Sequence, residues 1–209
     1  MKKTRIGVLI SGRGSNMQAL LVAAAAPDYP AEIALVLSNV ASAGGLETAR
    51  AAGVAAEAIP HKPFGGDRAA HEAALIQRLD AAGVEIVCLA GYMRVLTPLF
   101  VRHYAGRMLN IHPSLLPGLE GVDTHARALA AGAKLHGCTV HLVTEDLDAG
   151  PILAQAAVPV LPDDTEDTLA ARVLVQEHRL YPAALRALIE GRAPCAPAAA
   201  ALVNPLPAA

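Results

Sequence analysis

The stretch Arg5-Ile6-Gly7-Val8-Leu9-Ile10-Ser11-Gly12-Arg13-Gly14-Ser15-Asn16 decides the fold. Its first half is a short, nearly all-apolar run, the pattern of a strand buried on both faces. Its second half is a glycine turn, and the helical pattern Asn16–Ala26 follows at once. Working outward, strands and helices keep alternating. Ile33–Leu37 reads as a second strand, Leu46–Ala52 as a short helix closed by Gly53, and Ala55–Ile59 as a short strand. Asp67–Ala82 reads as a longer helix closed by Gly83, and Glu85–Ala90 as a buried strand. Such alternation predicts an α/β fold with a Rossmann-like, mostly parallel central sheet and helices on both faces. Ligands of such sheets bind outside the carboxyl ends of the strands, where the strand order reverses.

The second half changes character. Strand-like runs at Arg107–Ile111, Cys138–Val143 and Ile152–Val160 are separated by one helix, Thr124–Ala131, which predicts an antiparallel portion in the C-terminal half. A last helix, Thr165–Leu180, meets Tyr181-Pro182 and should kink or restart there before running on to Glu190. With 209 residues, no repeats and no interdomain linker, the expected organisation is one domain over residues 1–191 and a Pro/Ala-rich tail over 192–209.

Apolar residues make up 54% of the chain and aromatic residues only 3%, so alanine-rich helices must pack tightly on the sheet. No stretch reaches the roughly 18 apolar residues of a spanning helix. A net charge of -2 gives no basic footprint for nucleic acid. The apolar run behind Lys2, Lys3 and Arg5 ends by Ile10, too short for a signal peptide. Cys88, Cys138 and Cys195 are scattered, which speaks against a disulfide framework and a zinc site and for a reduced, cytoplasmic setting.

Chemistry concentrates in Asn110-Ile111-His112-Pro113-Ser114-Leu115-Leu116-Pro117. Residues two apart on a strand face the same way, so Asn110 and His112 point into one space. An amide donor beside a titratable base suits a tetrahedral acyl-transfer intermediate, one group holding the oxyanion and the other handling a proton. Downstream, Glu145-Asp146-Leu147-Asp148-Ala149-Gly150 offers a carboxylate to orient and charge-balance the imidazole. Each has a plainer reading, Asn110 as a turn residue and His112 as a satisfied interior histidine. Ser114 follows a proline and lacks a nucleophile elbow, so its role is to brace the turn. His141 alternates with Val140 and Leu142, facing the site or lying under it; His125 and His136 have no assigned role. The loop Ser11–Asn16 is either a phosphate cradle at a helix N-terminus or an ordinary turn with Ser15 as N-cap. Met17 in place of a third glycine excludes the dinucleotide fingerprint, and no Gly-Lys-Ser/Thr follows.

Taken together, Ser11–Asn16, Gly91-Tyr92-Met93-Arg94-Val95-Leu96, Asn110–Pro117 and Asp146–Gly150 resemble the glycinamide ribonucleotide formyltransferase family of purine biosynthesis, over about Ile6 to Gly191. The resemblance implies transfer of a formyl group from 10-formyltetrahydrofolate, a co-substrate, to the amine of glycinamide ribonucleotide, without a metal. It implies Asn110, His112 and Asp148 as catalytic residues, with Asp148 favouring the protonated His112 ring. Gly14, Ser15, Asn16, Gly91, Pro113 and Glu177 would bind the ribonucleotide, Glu177 accepting from the ribose hydroxyls. Met93, Arg94, Val95 and Leu96 would line the pterin slot with Asn110, Thr144, Glu145, Asp146 and Asp148. Arg68 and Arg94 would meet the benzoylglutamate carboxylates. Leu174 stands where close relatives often carry Lys or Gln reaching towards the phosphate, and Arg13 could compensate. The loop over residues 117–123 should move over the substrate. Partners are small molecules only, with neither nucleic acid nor membrane, and the protein is a monomer or homodimer. Two other readings remain: a formyltetrahydrofolate hydrolase or a transferase for another amine, and a non-catalytic nucleotide-binding module.

Overall fold

The computed structural model describes residues 2–192. The Pro/Ala-rich tail expected over 192–209 therefore lies, Arg192 apart, outside the described residues. The order of elements is β1 (Thr4–Ile10), α1 (Ser15–Ala24), β2 (Ala31–Ser38), α2 (Gly44–Ala51), β3 (Ala56–Ala58), a 3-10 turn (Lys62–Phe64), α3 (Arg68–Ala81) and β4 (Ile86–Leu89). They are followed by α4 (Pro98–His103), β5 (Met108–His112), α5 (Thr124–Ala130), β6 (Leu135–Leu142), β7 (Ile152–Pro159) and α6 (Glu166–Ile189).

One seven-stranded sheet runs in the order β3-β2-β1-β4-β5-β6-β7. Pairing is parallel from β3 to β5 and antiparallel at β5–β6 and β6–β7. The mostly parallel sheet with an antiparallel C-terminal portion is the architecture expected from the alternation of elements. From β1 the chain winds outward through β2 and β3, then crosses back to β4. The order thus reverses between β1 and β4, and at such a switch point ligands bind beyond the carboxyl ends of the strands.

The strands sort their side chains to two cores. Ile6, Val8 and Ile10 of β1 join Met17 and Leu20 of α1 and Tyr181 and Leu185 of α6. Leu9 faces the other way, into a layer with Leu75 and Leu79 of α3 and Phe100 of α4. Each such side chain, removed from water, contributes about 1.5–3 kcal/mol before the entropy of ordering it. Among the described residues no helix is long and apolar enough to cross a membrane.

Several boundaries differ from expectation. β5 extends to His112, which puts that imidazole on the strand with Asn110. β6 starts at Leu135, where pairing with Pro159 of β7 supports residues that carry no apolar run of their own. α6 passes Pro182 as one helix of 24 residues instead of restarting. Tertiary contacts hold it through the missing N–H: Tyr181, Ala184 and Leu185 are buried, and Tyr29 Oη donates to the Pro182 carbonyl at 2.7 Å. α4 and the 3-10 turn are too short to show a period and escape sequence reading, although Thr97-Pro98 is a helix-start signature.

Candidate active site

The first loop closes the site at one end. Gly14 adopts φ 71°, a left-handed backbone, and serves as N-cap of α1 without a side-chain bond. Ser15 is thus the first helical residue and not the N-cap that the plain-turn reading requires. The unpaired N–H groups at this helix start form a ready anion site. Asn16 points elsewhere: its Nδ2 donates to Glu177 Oε2 at 2.8 Å, and its Oδ1 is buried without a partner. Glu177, 6% exposed, has its carboxyl pushed up by burial, partly offset by the Asn16 bond. Sequence-distant α1 and α6 are thereby joined beside the first loop.

Asn110 and His112 lie on β5 opposite His141 and Thr139 of β6. Asp148 reaches the pair from the turn after β6, its backbone held at φ 51°. Its Oδ2 stands 3.4 Å from His112 Nδ1 and accepts the Gly121 N–H at 3.0 Å. Its Oδ1 lies 3.7 Å from His141 Nε2. The other ring nitrogen of His112, Nε2, donates to the Leu119 carbonyl at 2.9 Å. The loop over 117–123 therefore rests on both the imidazole and the carboxylate. Pro113 accepts from Thr124 Oγ1 at 2.7 Å, and Ser114 Oγ donates to the Gly118 carbonyl at 2.8 Å, bracing the turn.

The segment after β4 forms the other wall. Gly91 takes φ 73°, and its carbonyl accepts the Ser11 N–H at 3.0 Å. Met93 N donates to Ser11 Oγ at 2.8 Å, which ties this segment to the first loop. Met93 is 73%, Val95 56% and Leu147 57% exposed. Arg94 is half-buried behind them and Leu96 packs on the core, whereas Arg68 opens α3 at the surface. Glu145 is engaged by Arg102 at 2.7 Å, and Thr144 Oγ1 donates to the Asp146 carbonyl at 3.2 Å. The structure thus brings Asn110, His112 and Asp148 together, whereas Arg68 and Glu145 are exposed.

Three residues near the site escaped a role in the sequence. Ser11 was read only as part of the glycine loop. Thr139 Oγ1 donates to the Ser114 carbonyl at 2.7 Å and accepts from Leu116 N at 3.0 Å, shaping the turn after β5. His141 is 2% exposed and bonded to Asn110. Only the antiparallel register, invisible in a single strand, places the last two opposite His112 and Asn110. His125 and His136 bond each other at 3.1 Å behind the turn, with burial lowering the proton affinity of both, that of His136 to a pKa of about 4.

A mostly parallel sheet with an open helix N-terminus after β1 and an amide–imidazole–carboxylate cluster at the end of β5 has the parts of a group-transfer enzyme. The sequence pattern of the formyl transferase family matches residues 4–185, and the chain belongs to that family. It is 48% identical to phosphoribosylglycinamide formyltransferase of Escherichia coli (strain K12), covering 90% of this chain and 88% of that protein. It is also 48% identical to the trifunctional purine biosynthetic protein adenosine-3 of Bos taurus, covering 91% of this chain but only 19% of that protein. The crystal structure of phosphoribosylglycinamide formyltransferase from Brucella melitensis matches with a TM-score of 0.86 and 58% identity, over 90% of this chain and 96% of that one.

Proposed function

We propose that this protein transfers a formyl group from 10-formyltetrahydrofolate to the amine of glycinamide ribonucleotide, the step of purine biosynthesis for which its bacterial relatives are named. The observation that carries the reading is the 3.4 Å approach of Asp148 Oδ2 to His112 Nδ1 beside Asn110. The exposed apolar walls of Met93, Val95 and Leu147 suit a flat heteroaromatic ring, and the free N–H groups of α1 suit the phosphate of the ribonucleotide.

The substrate amine attacks the formyl carbon, a C–N bond forms, and negative charge gathers on the formyl oxygen. Asn110 Nδ2 donates to that oxygen, and the His112 ring, held by Asp148 at 3.4 Å, presents an N–H that adds stabilisation. Collapse breaks the bond from the formyl carbon to the folate nitrogen. That nitrogen takes up a proton, and the amine gives one up, so the exchange balances without covalent attachment to the enzyme. The His112 N–H that now meets the Leu119 carbonyl lies on the ring edge opposite Asp148, the edge from which a proton can be delivered.

The test is spectrophotometric: folate product is followed with and without glycinamide ribonucleotide, in the unmodified protein and in Asp148→Asn. Turnover should require the ribonucleotide, and the variant should lose most of it while keeping its circular dichroism. Equal turnover without the ribonucleotide would reveal a hydrolase instead. Undiminished turnover in Asp148→Asn would remove the carboxylate from the mechanism.

A further inference from the structure

We infer that His141 is a positioning residue for this reaction: its Nε2 is an obligate acceptor that fixes which way round the Asn110 amide lies. The inference rests on the proposed formyl transfer. For a neutral ring the two short contacts select one arrangement, with Asp148 Oδ1 farther off, at 3.7 Å from Nε2. His141 Nδ1 lies 3.0 Å from the Leu142 carbonyl, which can only accept, so Nδ1 carries the ring proton. Asn110 Nδ2 lies 3.2 Å from Nε2, and an amide nitrogen can only donate, so Nε2 offers its lone pair. One N–H of Asn110 is spent on this bond, and the second is left for the growing oxyanion. Turned over, the amide would set its own oxygen against Nε2 and against the negative charge it is meant to stabilise.

The fold supports the arrangement. Asn110 and His141 are direct cross-strand partners in the β5–β6 register. The β6–β7 register is irregular between Val140 and His141. Two charged or titratable groups face the ring: Asp148 from the turn after β6, which favours protonation, and His112 from β5, which opposes it. Burial outweighs Asp148 and lowers the ring's proton affinity, keeping Nε2 an acceptor.

Two substitutions separate this role from packing. In His141→Asn the side-chain nitrogen can still reach Leu142, but nothing stands at the Nε2 position. In His141→Gln the longer amide can place an oxygen there. His141→Asn should lower kcat roughly 10–100-fold, short of the ~10²–10³ typical when an oxyanion donor is removed outright. Both KM values should stay within about 2-fold, and His141→Gln should recover kcat to within about 3-fold. Independently of turnover, nitrogen-15 NMR of the full chain near neutral pH should show His141 neutral with its proton on Nδ1. Full activity in His141→Asn, equal losses in both variants, or an Nε2–H tautomer would each overturn the inference. Absence of formyl transfer by the unmodified protein would refute the proposed function and with it the role in that reaction, while the nitrogen-15 tautomer would still decide how Asn110 is held.

Discussion

Asp148 divides its oxygens among a charge partner, a loop N–H and a second histidine, and it does so at φ 51°. A left-handed backbone at a residue with a Cβ costs of order 1 kcal/mol or more and persists only when its surroundings determine it. Here those contacts converge on the imidazole, so the strain is located where orientation matters. Asn110 is the complementary case, an unstrained strand residue whose value lies in one free N–H. Replacing it with Ala should lower kcat by about 10²–10³ with little change in folding. A kcat within about 3-fold of the unmodified protein would show that Asn110 does not hold the oxyanion. Both residue types were legible in the sequence because an amide and an acid at the ends of apolar runs are unusual. The histidine that orients the amide was not, because His141 reads equally well as an interior ring until its partner strand is known.

At the scale of elements, the turn between β6 and β7 decides whether Asp148 arrives at all. Gly150 is buried there, and a Cβ on it would fall 1.8 Å from the Leu142 carbonyl oxygen. The clash is with backbone, so no side-chain rotation relieves it. Gly150→Ala should destabilise the protein by about 1–3 kcal/mol and depress turnover beyond that loss, since Asp148 lies two residues away. Urea midpoints and kcat measured on the same preparation would check this, and unchanged values in both would mean that the turn is more plastic than its packing implies. The parallel elements were readable because β1, β4 and α3 carry near-continuous apolar runs or a helical period. α4, with six residues, and the first residues of β6 owe their form to neighbours and carry little local signal.

Across the whole molecule, acid should weaken the fold through its interior histidines. Burial lowers the proton affinity of His71, His125, His136, His141 and His178. Each ring binds protons more weakly folded than unfolded, so the unfolded chain takes up more protons as the pH drops. The stability they contribute is complete above the ordinary histidine value of 6.5 and declines below it, the share of His136 being lost as the pH passes about 4. Glu177, its carboxyl raised by burial, works in the opposite direction, one group against five. Denaturant midpoints should therefore fall between about pH 7.5 and pH 5; a constant midpoint would contradict the neutral interior rings. The overall architecture was legible from the alternation of elements, but the joining of α1 to α6 through Asn16 and Glu177 was not, since nothing in either helix names the other.

Tyr181 is fully buried, with its hydroxyl 3.0 Å from the Leu89 carbonyl at the end of β4 and 3.1 Å from that of Leu109 on the adjacent β5. Glu177 precedes it by one turn on the same rod. The reach from the Asn16–Glu177 bond to the point where the helix is fastened to the sheet is thus set by a single helical pitch of about 5.4 Å. Adding or removing one residue between the two would rotate Glu177 by about 100° away from Asn16 while Tyr181 stayed bolted to the sheet. Changes of length that surface loops absorb would, at this place, put the instrument out of calibration.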